Sequence, residues 1–253
     1  MATPYLILDL ESAGLDADVT LNGVPIVEER SAQPVRRALK INGWIIDGDN
    51  LLEVRLKRQA QGTPRFGLTL RRANPGPSTS GDETLLEYTW SVATQPLSTG
   101  EFETVLTRHL SLTAPKSWSW VRAPALPQLG EEDRRSIISV LRDVERALAA
   151  RNPEAVVTLQ TLSLTEQAEA VGEDPAMILA RYSEFLQQRM SQPTWSVVPF
   201  ATDALVFVPL AGGRLFHIRT TDGRPPVSTT TADSRFQIDP YVAKLDGRWT
   251  IVR

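Results

Sequence analysis

Few side chains in this sequence are suited to nucleophilic or acid–base catalysis, since it contains two histidines and no cysteine. His217 is the better candidate, because strand alternation would place Leu215, His217 and Arg219 on one face of a sheet. Three polar side chains would accompany it in an acid–base site: Tyr182, Asp203 and Asp239. Neither His217 nor His109 has a histidine partner nearby, and metal sites usually need three or four converging ligands. A structural or solvent-facing role is favoured for both, and the sequence predicts no catalytic residue, metal site or cofactor.

Trp118 and Trp120 form a second candidate site, because they alternate with serines over residues 117–121. A strand there would project both indoles to the same side. Two adjacent indoles would stack on a sugar or anchor a protein interface. The favoured alternative is packing in the core or at a domain junction, since the pair directly precedes a proline-containing segment.

Asp47, Asp49 and Asn50 surround Gly48 in a pattern that superficially suggests a calcium loop. The later glycine and the terminal bidentate glutamate of an EF-hand are missing. Glycine tolerates positive φ, and Asp or Asn side chains hydrogen-bond to nearby backbone. We therefore interpret residues 47–50 as a turn that precedes a strand.

The clearest charge feature is local. Between Arg30 and Arg72 there are ten basic and three acidic residues, a net charge of +7 in a protein of net charge −3. Arg55 and Lys57 would lie on the outward face of one strand, and Arg71 on another. Such a basic face would receive an acidic protein surface. Nucleic acid is disfavoured by the pI of 5.6 and by sparse aromatic residues. The alternative is a merely solvated face.

The first half of the chain has short alternating runs separated by turn residues, which predict an all-β domain over residues 1–122. In the clearest run, residues 51–57, Leu52, Val54 and Leu56 share one face. Eight strands are predicted, and they favour a sandwich or jelly roll. The predicted strands are residues 5–10, 18–27, 36–46, 51–57, 66–71, 85–93, 101–112 and 117–121.

Residues 123–130 contain two prolines and predict a linker to a second domain, residues 131–253. Beyond Gly130 the apolar spacing becomes helical, and Asn152 and Asp174 each precede a proline, which is typical of a helix start. Three helices followed by strands predict an α+β domain in which the helices pack on a curved antiparallel sheet. The predicted strands are residues 195–200, 204–210, 214–220, 227–231, 236–243 and 248–252.

Two family resemblances accompany these patterns. The closing run Asp246-Gly-Arg-Trp-Thr-Ile-Val252, after three helices, resembles the cone-shaped nuclear-transport-factor-like superfamily. That resemblance implies a cone which in some members binds small molecules, in some is an enzyme and in others neutralises a toxin. Residues 17–24 and 46–56 look like strand and turn segments of galactose-binding-type jelly rolls. No sugar-site residue matches one by one, so none is assigned.

Together these observations favour a cytoplasmic, non-enzymatic protein-binding protein. The opening residues lack an export signal, and no apolar run is long enough to span a bilayer. The leading hypothesis is an immunity protein that neutralises a cognate toxin of the type VI secretion kind, with no membrane or nucleic-acid partner. One alternative is a small-molecule-binding protein or enzyme in the C-terminal cone, with Tyr182, His217 and Arg219 in its cavity. Another is a carbohydrate-binding module that uses Trp118 and Trp120. The oligomeric state stays open.

Overall fold

A computed structural model describes residues 4–60, 62–73, 82–97, 100–232 and 234–253. The chain divides into two compact units. The N-terminal unit comprises Met1–Ser117 with Ala170–Gly172, and the C-terminal unit comprises Trp118–Glu169 with Glu173–Arg253. The chain is mostly antiparallel β-sheet with three helices, so the α+β class with a large β part is confirmed.

The N-terminal unit has two four-stranded sheets. Sheet A has the strand order β4-β1-β6-β7 and sheet B the order β3-β2-β5-β8, with every neighbouring pair antiparallel. The strands are β1 (Tyr5–Ala13), β2 (Leu15–Leu21), β3 (Val24–Glu29), β4 (Val35–Lys40), β5 (Gly48–Arg58), β6 (Arg65–Ala73), β7 (Glu83–Ser91) and β8 (Glu103–Leu112).

A single apolar core lies between sheets A and B. Strand alternation builds it, because every second side chain of a strand points to the same face. In β5, Leu52, Val54 and Leu56 are buried, as their spacing predicts. They join buried leucines of β1 and β6 in one cluster, which makes the unit a two-sheet sandwich.

Two of the predicted strands are wrong in extent. Residues 18–27 are not one strand, because Asn22 and Gly23 both have positive φ (54° and 74°) and form the hairpin turn between β2 and β3. Asn and Gly are the residues that adopt this conformation most readily. The predicted strand 36–46 stops at Lys40 and is followed by a short 3-10 helix, Asn42–Trp44.

The turn predicted over residues 47–50 is wrong in extent, because β5 already begins at Gly48 and only Asp47 lies before it. One buried side chain holds the chain at this point. The Asn50 amide oxygen accepts from the backbone N–H of Ile46 and from the Asn22 amide, both at 2.8 Å. Its amide nitrogen donates to the carbonyl oxygens of Ile46 and Gly48. A fully used amide of this kind fixes the chain where it enters β5, so Asn50 has a structural role.

The three predicted helices of the C-terminal unit are α1 (Glu131–Ala149), α2 (Pro153–Ala170) and α3 (Pro175–Met190). The predicted helix starts are correct, since Asn152 Oδ1 accepts from the Ala155 N–H and Asp174 Oδ1 from the Ala176 N–H. None of the helices in the described ranges has the length and apolar character needed to cross a bilayer.

The strands of the C-terminal unit form two sheets, where the sequence predicts one curved sheet. Their orders are β10-β11-β14-β15 and β13-β12-β9. The predicted strand 236–243 is broken at Asp239-Pro240, because proline cannot donate to a ladder. The strands are β9 (Ser196–Val198), β10 (Leu205–Leu210), β11 (Leu215–Thr220), β12 (Val227–Thr230), β13 (Arg235–Ile238), β14 (Tyr241–Leu245) and β15 (Arg248–Ile251).

Candidate binding groove in the N-terminal unit

The outer face of sheet A carries a groove of about 420 Å³. It exists because β6 turns Leu68 and Leu70 into the sandwich core and leaves Gly67 and Thr69 on the opposite, solvent side. Side chains and backbone of four strands line it: Asp9, Leu10, Glu11, Arg36, Arg37, Ala38, Gly67, Leu68, Thr69, Tyr88 and Thr89.

Strand register brings the polar groups of the groove together. Glu11 of β1 lies between Arg36 of β4 and Gly67 of β6. Gly67 in turn faces Thr89 of β7. One row of residues across the sheet therefore consists of Arg36, Glu11, Gly67 and Thr89. Side chains directly opposite each other on neighbouring strands are about 5 Å apart, so neighbours in this row can interact.

Arginines hold both carboxylates of the groove. Glu11 pairs with Arg36 at 3.1 Å and with Arg65 at 3.0 Å. Asp9 accepts a hydrogen bond from Arg71 Nε at 2.6 Å, and Arg71 also pairs with a carboxylate at the start of β7, that of Asp82. The hydrogen bond to Asp9 is the main reason that the pKa of Arg71 is raised above its ordinary value. The groove therefore presents fixed charges of both signs.

Gly67 is the floor of the groove, and its lack of a side chain is not required by the fold. Its φ is not in the left-handed region, and a Cβ placed there would meet nothing within 4 Å. Glycine inside a strand costs about 0.5–1 kcal/mol relative to alanine and often marks a place where another molecule approaches the backbone. The packing of the sheet therefore does not require a glycine at position 67, and the space above Gly67 is open to solvent.

The predicted basic face is not a single surface. Arg71 lies on sheet A, whereas Arg55 and Lys57 lie on the outer face of sheet B. There the register places Arg55 beside Asp18 and Lys57 beside Asp16. The local charge of +7 is therefore misleading, because carboxylates from outside residues 30–72 lie next to its cations. Those that form ion pairs with the segment are Asp9, Glu11, Asp18, Glu29, Asp82 and Glu83.

The tryptophan pair does not lie on a strand. Residues 119–122 form a short 3-10 helix, so the predicted strand over 117–121 is wrong. Trp118 and Trp120 are 0% and 2% exposed. The Arg253 guanidinium lies 5.0 Å from the Trp118 ring centroid. Buried indoles cannot stack on a sugar or contact a partner, so the surface role predicted for them does not fit this structure, and the packing alternative does.

His217 is 1% exposed. Its Nε2 lies 2.6 Å from Asp239 Oδ1, and its ring stacks on Tyr241 at 4.1 Å. Arg219 Nε donates to its Nδ1 at 3.1 Å. Phe216 and Ile218 lie on the other face of β11, and their side chains pack in the apolar core that the helices also line. The predicted shared face of His217 and Arg219 is therefore correct, but that face points away from the helix-packed core.

Tyr182, the other residue predicted for the cavity, lies elsewhere in the C-terminal unit. Its hydroxyl accepts a hydrogen bond from Gln160 Nε2 at 3.1 Å, and its ring stacks on Phe185. Burial raises the pKa of Tyr182 above its ordinary value. Among the described residues, no hydrogen bond, ion pair or ring contact joins Tyr182 to His217 or Arg219, so the predicted cavity residues Tyr182, His217 and Arg219 are not brought together in one cluster.

His109, on β8, is exposed at the surface of sheet B and lies 2.8 Å from Asp49 Oδ2. Across the described ranges, no three His, Asp or Glu side chains converge as metal ligands would. No protein-family model, no curated protein and no solved structure matches the chain. The two resemblances proposed from the sequence therefore stay predictions.

Most residues of the groove were missed by sequence reasoning. The alternation Leu8-Asp9-Leu10-Glu11 could have indicated two outward carboxylates. Gly67 within an alternating run could have indicated a close backbone approach. What the sequence did not reveal is that β1 lies between β4 and β6, and only that order assembles the groove.

Proposed function

We propose that this protein is a non-enzymatic protein-binding protein and that the groove on sheet A is its recognition surface. The observation that carries the proposal is Gly67. It leaves an open floor between charged walls in a strand whose conformation and packing would accept a side chain. A partner side chain can reach the sheet backbone at Gly67, which lies between Glu11 and Thr89 in the strand register.

The charges around this floor suit recognition of another charged surface. The Arg36 side chain is 81% exposed although it pairs with Glu11. Exposed pairs of this kind contribute only about 0–1 kcal/mol, so a partner can replace one member at little cost. Complementary charges then set the register of the complex and speed encounter. A specific interface buries about 800 Å² on each partner, so the groove would be its centre and not its whole extent.

The partner in this proposal is a toxin of the type VI secretion kind, and the protein acts in the cytoplasm as its immunity protein. The support is the resemblance of residues 246–252 to a superfamily that includes toxin-neutralising members, together with a groove suited to protein recognition. Neutralisation would follow from steric coverage of the toxin's active site, which requires binding only.

Co-expression with the product of the neighbouring gene tests this role. The expected result is that cells carrying both proteins grow while cells carrying the toxin alone do not, and that the two proteins co-purify at a fixed ratio. Absence of both the complex and the protection would remove the proposal. Protection without a complex would point to an enzymatic activity and would equally contradict it.

A further inference from the structure

We propose that the edge strand β4 accepts an extended segment of a partner protein as an additional strand of sheet A, and that this segment carries acidic side chains at alternate positions. The inference rests on the proposed protein-binding function and specifies the chemistry of the partner. It follows from the position of β4, the direction of its backbone groups and the charges on its side chains.

The outer edge of β4 is open. β4 is the terminal strand of sheet A, and within the described ranges its only strand neighbour is β1. Arg36, Arg37, Ala38 and Lys40 are all exposed. Edge strands of this kind are templates for the addition of another strand.

The ladder with β1 shows which backbone groups are available. The Ile41 N–H donates to the Leu6 carbonyl at 2.9 Å, immediately beyond the end of β4. Antiparallel partners alternate between hydrogen-bonded and non-hydrogen-bonded pairs. Counting back from Ile41, the N–H and C=O groups of Arg36, Ala38 and Lys40 point away from β1. Three residues thus present donors and acceptors to an incoming strand.

The side chains of the same residues select for acids. Arg36 and Lys40 lie on the outer face of sheet A, in register with Glu11 and Ile7. An incoming strand would place its own residues directly opposite them, where opposite charges stabilise pairing. Ala38 is small and lines the groove, so it leaves room for a large apolar side chain between the two acids. The expected pattern is acid, any residue, large apolar residue, any residue, acid.

The other edges of the N-terminal unit do not share this character. β3 carries Glu28 and Glu29, β7 carries Glu83 and Glu87, and β8 carries Glu103. β4 is thus the only one of its four edge strands with cations and no acid. Like charges would also keep the β4 edges of two copies apart. An acidic segment is therefore directed to β4 and away from β7.

The test measures the affinity of the protein for two short fluorescein-labelled peptides by fluorescence anisotropy. One peptide has the expected pattern, and the control peptide has the same composition with the acids moved out of alternation. Ala38→Pro removes an outward N–H without breaking a bond to β1, and prolines are tolerated at such edge positions. Ala38→Ser keeps the N–H and is the matched control. We expect Ala38→Pro to weaken binding on the order of 10-fold or more and Ala38→Ser to leave it unchanged.

Charge reversal and backbone methylation provide independent arms. The double variant Arg36→Glu, Lys40→Glu should also weaken binding by roughly 10-fold, whereas Lys57→Glu on sheet B should not. If Ala38→Pro fails to fold, N-methylation of alternate peptide amides tests the same hydrogen bonds on the wild-type protein. Equal binding of the two peptides, or equal binding by Ala38→Pro, overturns strand addition.

The outcomes separate this inference from the proposed function. If the protein forms a complex with its partner but does not bind the alternating peptide, strand addition is wrong and protein binding stands. If the chain alone self-associates and Ala38→Pro abolishes that association, the occupant of β4 is a second copy and the acidic-partner inference is overturned.

Discussion

The groove of the N-terminal unit and the histidine cluster of the C-terminal unit are built from the same kinds of side chain, and they differ in access to solvent. The Arg36 side chain at the groove is 81% exposed, whereas that of His217 is 1% exposed. Each lies within 3.1 Å of a neighbouring carboxylate oxygen, Arg36 beside Glu11 and His217 beside Asp239. A polar cluster at the surface is available to a partner, while a buried one fixes the position of its own strands.

Glu166 of α2 belongs to a second buried polar cluster in the C-terminal unit. Its carboxylate accepts from the Ser119 N–H at 2.8 Å and pairs with Arg253 at 3.1 Å, and both ionic side chains are buried. Burial lowers the pKa of Arg253 below its ordinary value, although Glu166 opposes that change. Removing one member of such a pair leaves the other charge without compensation.

The largest effect is expected from Glu166→Ala, which should lower the free energy of unfolding by about 3–5 kcal/mol. Thermal or denaturant unfolding measures it. Glu184→Ala, at an exposed position on α3, is the control and should change stability by less than about 0.5 kcal/mol. If Glu166→Ala and Glu184→Ala lowered the free energy of unfolding by similar amounts, the distinction between buried and exposed polar clusters would be wrong.

Glu29 of β3 is a buried carboxylate that pairs with Arg37, one of the residues that line the groove. Burial raises its pKa, but hydrogen bonds from Arg37 and from the Ser31 and Arg30 N–H groups outweigh that effect and lower the pKa below its usual 4.5. Its contribution to stability is therefore fully present above pH 4.5 and is lost as pH falls through the lower folded pKa.

Glu29→Gln should accordingly reduce stability at pH 7 by about 1.5–3 kcal/mol. The difference between wild type and variant should shrink as pH falls below about 4. Urea unfolding at a series of pH values measures both quantities. A difference that is constant from pH 7 to pH 3 would show that the charge of Glu29 does not contribute.

A smaller effect of the opposite sign is expected at the groove. Gly67→Val should leave stability unchanged or raise it by about 0.5–1 kcal/mol, since a Cβ at this position meets no neighbour within 4 Å and valine loses less backbone entropy on folding than glycine does. Denaturant unfolding measures this change. A clear loss of stability would mean that Gly67 serves packing and not access.

The smallest effect is expected at the basic residues of sheet B. Arg55→Ala should change stability by less than about 0.5 kcal/mol, because Arg55 is exposed and borders other polar side chains. Arg55→Ala should also leave partner affinity unchanged, because Arg55 lies on sheet B and the groove on sheet A. A strong loss of partner affinity in Arg55→Ala would show that the basic residues Arg55 and Lys57 take part in partner binding, as the sequence predicts.

Local signals predicted local structure well in this chain. The alternation of β5 and the Asn152 and Asp174 helix starts are read over a few residues, and each is correct. The strand predicted over 117–121 failed because alternating serines and tryptophans also suit a short helical turn whose indoles are buried. The groove and the cancellation of charge around Arg71 depend on strand order and on partners far apart in sequence, and periodicity does not encode either of them.

The most direct test of the groove is the affinity of the protein for its co-purified partner, measured by calorimetry for wild type, Gly67→Val and Thr107→Val. Thr107→Val places the same apolar side chain at an exposed position on the outer face of sheet B, away from the groove. We expect Gly67→Val to weaken binding on the order of 10-fold or more while its stability is kept, and Thr107→Val to bind as wild type does. Equal affinity of Gly67→Val and wild type would contradict recognition through the groove.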